Sequence, residues 1–251
     1  MTVEEEETPD RMAAEPSGSE QDEPDTGPVV LAISGLEFEH PSAAAVICEA
    51  EEGTKAEIGR EDVIWRVRRG GSAPQGARVC VAEGLDAAAE LAVETPDMVV
   101  VPRAEVRRAS SRYGFNPAIT GSGFSTYHLD PASVQAFSVR ERGRTVALGE
   151  WLNQAQTLGF REVWLHGVEA QEAGRGFACD LLAKAHRIAP RLQLWISGGG
   201  REPAHFANAA RLPGLVALVV EAQVLAEMEP GAVNAALMGP PPPSEPPCGA
   251  A

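Results

Sequence analysis

Between residues 28 and 238 the chain alternates short continuous apolar runs with longer segments in which apolar positions recur every three to four residues. The runs are Pro28–Leu36, Asp62–Arg69, Ala77–Gly84, Asp97–Arg103, Ser133–Glu141, Glu162–Glu169, Leu192–Gly199 and Leu215–Ala222. Runs of this length without polar alternation predict strands buried on both faces. The helical period falls on Asp86–Thr95, Thr145–Phe160, Ala178–Ala189, Pro203–Leu212 and about Pro230–Met238. In Thr145–Phe160 the apolar positions are Val146, Leu148, Trp151, Leu152, Ala155 and Leu158, with Gly159 as the stop. Asp86 is placed as the N-cap of its helix. "EVRRASSR" (Glu105–Arg112) has the composition of a solvated helix face.

Eight strands, near positions 29, 63, 79, 98, 134, 163, 193 and 216, mostly separated by helices, predict an α/β fold with a parallel sheet. In a core of this size the pattern fits a single (β/α)8 TIM barrel. The competing architecture is an open doubly wound sheet, against which stands the lack of a G-x-G-x-x-G after the first strand. Ser110–Ser133 reads as a loop, long for a compact barrel.

Composition sets the domain limits. Hydrophobic residues make up 44% of the 251, enough for a sizeable core. The net charge of −15 is concentrated at the start, where residues 1–27 hold ten acids and one base. That stretch is expected to be disordered. Residues 28–238 form the barrel, and residues 239–251, with six prolines, read as an extended tail that a proline-recognising partner would suit. Both the tail and the mildly acidic remainder would repel polyanions, which excludes nucleic acid and anionic membrane as expected partners. No apolar run approaches the roughly 20 residues of a membrane span, and acids from Glu4 onward do not suit a signal peptide. Cys48, Cys80, Cys179 and Cys248 are widely spaced and no C-x-x-C occurs, so no metal or other cofactor is expected and a reduced, cytoplasmic setting is the simplest reading.

The candidate chemistry centres on "SGGGR", Ser197 to Arg201. Glycines after a strand and before a helix let backbone N–H groups approach an anion, and they equally serve a plain tight turn. The surrounding string "SVRERGRTVALGEWLNQAQTLGFREVWLHGVEAQEAGRGFACDLLAKAHRIAPRLQLWISGGGREPAHF" resembles the second half of the histidine-biosynthesis barrels. These are the cyclase subunit of imidazole glycerol phosphate synthase and the related ribotide isomerase, with the cyclase the nearer. Glu150–Trp151, Leu158–Gly159, Gly176–Leu182, Ser197–Gly199 and His205–Phe206 carry the likeness.

The resemblance implies a phosphorylated sugar or ribotide as ligand, with one phosphate on Ser197, Gly198, Gly199 and Gly200 and with Arg103 and Arg201 nearby. It implies a glutaminase-like partner at the opposite barrel end. It also exposes departures. The family's two catalytic aspartates fall on Ser34 and Ser138, and a serine hydroxyl is too weak a base at neutral pH without an activating neighbour. Glu169 stands where the sixth-strand loop has its first aspartate, Gln171 where it has its second, and Glu37 and Glu39 lie close to Ser34. Glu83 and Glu221 enter the two phosphate cradles.

Two readings follow. In one, the chain is a non-catalytic relative, a pseudoenzyme serving as scaffold or regulator, whose degenerate phosphate site is filled by Arg103 and Arg201 paired with Glu83 and Glu221. In the other, Glu169 and Glu37 act as acid and base in a cyclase- or isomerase-like reaction. His166 ends a strand, where it either faces the mouth or, more commonly, is a core histidine bonded to backbone. His40, His128, His186 and His205 are scattered, and Ser122 lacks the strand and helix of a nucleophile elbow.

Overall fold

The computed structural model describes residues 27–34, 37–50, 62–108, 137–229 and 231–239. Both tails, except Gly27 of the acidic one and Gly239 of the proline-rich one, lie outside these residues, as does the loop Ser110–Ser133. The described chain contains ten strands in one sheet, ordered β4-β3-β2-β1-β10-β9-β8-β5-β6-β7, with β4 also paired to β5. That extra pairing closes a ring of eight parallel strands. They are β1 (Val29–Ile33), β2 (Ala45–Glu49), β3 (Val63–Val67), β4 (Val79–Glu83), β5 (Val99–Arg108), β8 (Glu162–Gly167), β9 (Gln193–Ser197) and β10 (Leu215–Glu221). The fold is therefore a closed (βα)8-type barrel. Among the described residues, helices follow the fourth and later barrel strands, and none follows the first three.

Two strand assignments change. The run at Ala45–Glu49 is a barrel strand that the apolar pattern did not single out, because "SAAAVICEA" is dominated by alanine, a poor strand marker. The run placed at Ser133–Glu141 is not a barrel strand. Its described part, β6 (Phe137–Glu141), pairs antiparallel with the end of β5 and, through a tight turn, with β7 (Arg144–Ala147). The fifth barrel strand is instead Val99–Arg108, which runs on through Glu105–Arg108 rather than turning into a helix, since Val106 to Arg108 find partners in Phe137 to Val139.

Helices α1 (Leu85–Glu94), α2 (Leu148–Thr157), α3 (Val168–Ala173), α4 (Cys179–Ile188), α5 (Pro203–Ala209), α6 (Ala222–Ala226) and α7 (Ala232–Met238) complete the described elements. Asp86 is not the cap of α1. Gly84 takes that position without a side-chain cap bond. Gly159 ends the α2 turn as expected, at φ 86°.

Strand alternation sorts the core into an inside and an outside. Leu31, Ile47, Ile64, Val81, Val101, Trp164, Trp195, Ala217 and Val219 form one cluster within the ring. Their neighbours in sequence face outward: Val30, Ala32, Val163, Leu165, Leu194, Ile196, Leu218 and Val220 pack under the helices with Trp151, Leu152, Leu181, Leu182 and Phe206. A second outer cluster joins Cys48, Trp65, Cys80 and Leu91 over the first half of the ring. Burial there pushes the Cys80 thiol up to about 12, so it stays protonated and unreactive. Among the described residues no helix is long and apolar enough to cross a membrane.

Phe206 is fully buried and meets Phe177 edge-on at 5.3 Å, the contact that anchors α5 behind the glycine turn. Phe206→Ala is expected to cost about 3–5 kcal/mol, read as a lowered urea midpoint with an unchanged slope.

Candidate functional site

The residues that face the barrel's C-terminal mouth follow from the inner cluster by a step of two along each strand. Leu31 leads to Ile33, Ile47 to Glu49, Ile64 to Arg66, Val81 to Glu83, Val101 to Arg103, Trp164 to His166, Trp195 to Ser197 and Val219 to Glu221. This ring is the candidate site. Strand register places Glu49 beside Arg66, Glu83 beside Arg103 and His166 beside Ser197.

One half of the ring is closed by its own charges. Glu83 accepts hydrogen bonds from Arg66 Nη2 at 2.5 Å and from Arg103 Nη1 at 2.9 and 3.0 Å. Arg66 also reaches Glu49 at 2.9 Å, and Arg103 lies 3.8 Å from Glu105. Arg103 is only 7% exposed, and its guanidinium carbon sits 4.9 Å from the centroid of the Trp164 ring. A cation this far from water requires such partners. Its Nε has none among the described residues.

The other half is held by Ser197 and His166. Trp164 Nε1 donates to Ser197 Oγ at 2.7 Å, and His166 Nδ1 lies 2.8 Å from the same oxygen. Burial first, then the Arg103 charge, lowers the His166 pKa to about 4, so the imidazole is neutral at pH 7. An indole only donates, so Ser197 Oγ accepts from Trp164 and retains both a hydrogen and a lone pair with which to meet His166 Nδ1. His166 thus bonds a side chain at the mouth, not backbone in the core.

The glycine turn meets protein rather than open space. Gly198 and Gly199 have φ of 99° and 87°. A Cβ on Gly198 would strike the Gly167 carbonyl oxygen, one on Gly199 the carbonyl oxygens of Gly176 and Ala170, and one on Gly200 the Phe177 ring. Gly199 O accepts from Gly176 N–H at 2.9 Å, while Gln171 Oε1 accepts from Gly199 N–H at 3.2 Å. One of the amides that would cradle an anion is thus occupied by a side chain. Helix α5 behind the turn is seven residues long.

The sequence-derived site residues are only partly brought together. Arg103, His166, Gln171, Ser197, Gly198, Gly199, Gly200, Arg201 and Glu221 line one cavity of about 90 Å³ with Ile33 and Arg66. Arg103 pairs with Glu83 as anticipated, whereas Arg201 does not pair with Glu221. Arg201 is exposed, its side chain lies against Gly174, and its backbone N–H donates to His205 Nδ1 at 3.1 Å.

Glu169 is not in this cavity. Its carboxylate accepts the Arg108 N–H at 3.2 Å and lines a separate cavity of about 310 Å³ with Val106, Phe137 and Asp180. Ser34 follows the inward Ile33, and its N–H donates to Ile47 O at 3.1 Å. Ser138 is corrected outright as a fifth-strand position. It lies on the β6–β7 ribbon opposite Arg107, outside the ring, and its hydroxyl makes a long 3.5 Å bond to Arg107 O. Glu49 was missed, since its only signal was the step of two from Ile47, which required the strand Ala45–Glu49 to be placed. Arg66 heads the basic run "RVRRGG", which suits either a phosphate-facing cluster or a solvated strand end, and it faces the mouth paired with Glu83 and Glu49. Among the described residues no group of three or more His, Cys, Asp or Glu is placed to hold a metal.

The fold and its charged mouth define a (βα)8 barrel whose ligand-facing rim is largely satisfied by internal contacts. Over 121 residues the chain is 33% identical to imidazole glycerol phosphate synthase subunit HisF from Thermobifida fusca (strain YX). The match covers 48% of this chain and 41% of that relative, so less than half of the relative's length is represented. No family model matches the chain. A solved structure, wild-type GGGPS from Thermoplasma volcanium, aligns with a TM-score of 0.44 at 12% identity, covering 84% of this chain and 90% of that one.

The His166 shift has a defined sign. Its folded pKa lies below the unfolded value near 6.5, so the unfolded chain binds more protons between about 4 and 6.5. The contribution is fully present above pH 6.5 and is lost as pH falls toward 4. Thermal melts of wild type and His166→Asn from pH 8 to 4 should show a shallower loss in the variant. Parallel curves would mean that His166 titrates normally.

Alanine at Gly199 should lower stability by about 2–4 kcal/mol, through positive φ and backbone overlap together. Urea unfolding measures this, and an unchanged midpoint would remove the packing account of the turn.

Proposed function

We propose that this protein is a non-catalytic relative of the HisF-like barrels, acting as a scaffold or regulatory protein through its surface rather than by turnover at its mouth. The observation that carries the reading is Glu83 held between Arg66 and Arg103. The two mouth arginines that would face a phosphorylated ligand are already neutralised by an internal carboxylate. A phosphate placed beside Glu83 or Glu221 would be opposed by a few kcal/mol at an effective dielectric of about 20.

Three further features support the same reading. Gln171 occupies the Gly199 amide. The cavity beside the glycine turn, about 90 Å³, is small against the roughly 300–1,000 Å³ of ordinary ligand pockets. Glu169, the carboxylate best matched to a catalytic position, bonds the backbone of Arg108 instead of facing the cavity. The partner would engage elsewhere, with the acidic and proline-rich terminal segments as the natural candidates on composition.

A ribotide with a phosphate at each end should give no thermal shift with the wild-type protein at millimolar concentration. A saturable upward shift would overturn the reading and favour an active cyclase- or isomerase-like barrel.

A further inference from the structure

On the side of the mouth away from the glycine turn, the β6–β7 ribbon leans on helix α1. The ribbon tip is Glu141, Arg142 and Gly143. The Glu141 carboxylate accepts the N–H of Leu85 at 2.6 Å and that of Asp86 at 3.4 Å. These amides belong to the first turn of α1, where a helix leaves its donors unpaired and carries partial positive charge. The next residue answers with the opposite sign. Arg142 Nε lies 2.6 Å from Asp86 Oδ2, and its Nη2 lies 4.0 Å from Glu90 Oε1. The docking is therefore directional: an anion on the ribbon meets helix amides, and a cation beside it meets helix carboxylates.

Both partners carry unusual backbone at the contact. Arg142 has φ 49°, and among the described residues it is the one non-glycine with positive φ. Gly84 has φ 81°, and a Cβ there would lie 2.8 Å from Glu141 Oε1. A residue in this region costs on the order of 1 kcal/mol and persists where its surroundings over-determine it, as at clamps and switches. Elsewhere the ribbon is held at its root, where three residue pairs join Val106–Arg108 to Phe137–Val139 and where Phe137 and Val139 are buried in the outer core. Between tip and mouth lies a cavity of about 250 Å³, lined in part by Glu83, Arg103, Glu105 and Arg140.

We propose that the ribbon is an ionic clasp. Glu141 and Arg142 fasten its tip to the first turn of α1 and so close one side of the cavity beside the Glu83–Arg103 pair. Release of the tip, hinged at the β5–β6 pairing, bares that pair to solvent or to a partner. The proposal rests on the reading of a mouth filled by its own side chains, because the clasp covers the same ion cluster.

Hydrogen exchange on the full chain tests it. Glu141→Ala and Arg142→Ala should each speed exchange about tenfold at Leu85, Asp86 and the 138–147 amides, while β8 and β9 stay protected. Raising salt to about 1 M should loosen the wild-type ribbon and add little in the double variant, since an exposed ionic contact is screened. Relative to Glu141→Ala, Glu141→Gln should restore part of the Leu85 protection through its amide oxygen, with the remaining salt response that of the Arg142–Asp86 pair. The salt arm needs no variant to fold.

Unchanged ribbon exchange in both alanine variants, or no salt response in wild type, overturns the clasp. So does equal loosening of β8 and β9, which would make the contact general stabilisation. Ribotide binding by the wild type would overturn the filled-mouth reading and leave these exchange results as they stand. An unresponsive ribbon would remove the clasp and leave the ion cluster intact.

Discussion

Arg103 is a cation held almost wholly out of water at the rim of a barrel, and the mouth is arranged around that constraint. Burying a guanidinium without partners costs several kcal/mol, so the neighbouring strand must supply an anion at the matching register position. Glu83 does so, and because it also binds Arg66, three adjacent strands are joined by one carboxylate. Trp164 beneath the guanidinium supplies the face that a cation favours, and its indole N–H secures Ser197 on the neighbouring strand. The same charge helps keep His166 neutral. One buried cation thus fixes the pairing of Glu83 and adds to the burial that keeps His166 neutral.

The glycine turn shows how one pattern admits two physical causes. Glycines are required wherever backbone must approach something closely, and sequence alone does not say what that something is. Here it is the neighbouring loop, whose carbonyl oxygens and Phe177 ring stand where side chains would be. The loops after the sixth and seventh barrel strands are zipped together by the Gly176–Gly199 and Gln171–Gly199 bonds.

How much was legible in the sequence can be judged from particular residues. The buried parallel strands were visible because strands covered on both faces are apolar throughout, and Arg103, Glu83, Ser197 and Glu221 were recognised at strand ends for that reason. The strand at Ala45–Glu49 was not visible, because alanine marks neither strand nor helix strongly when packing decides. The run Ser133–Glu141 was assigned to the ring, since a β-rich run does not announce whether its partner is parallel or antiparallel. The cap of α1 was assigned to Asp86 because local capping is the rule, whereas the carboxylate that does the work arrives from Glu141, 55 residues away.

The sequence by itself determined the layered α/β class and the alternation of inward and outward positions, because both depend on solvent preference repeated over a few neighbouring residues. It also placed Glu83, Arg103 and Glu221 at or beside strand ends. Only the tertiary structure decided which of those charges meet, that Glu169 serves a backbone amide rather than the mouth, and that the glycines face protein. Those outcomes depend on strand register and ring closure, which bring residues from distant parts of the chain within a few ångströms, and no local pattern encodes such distances.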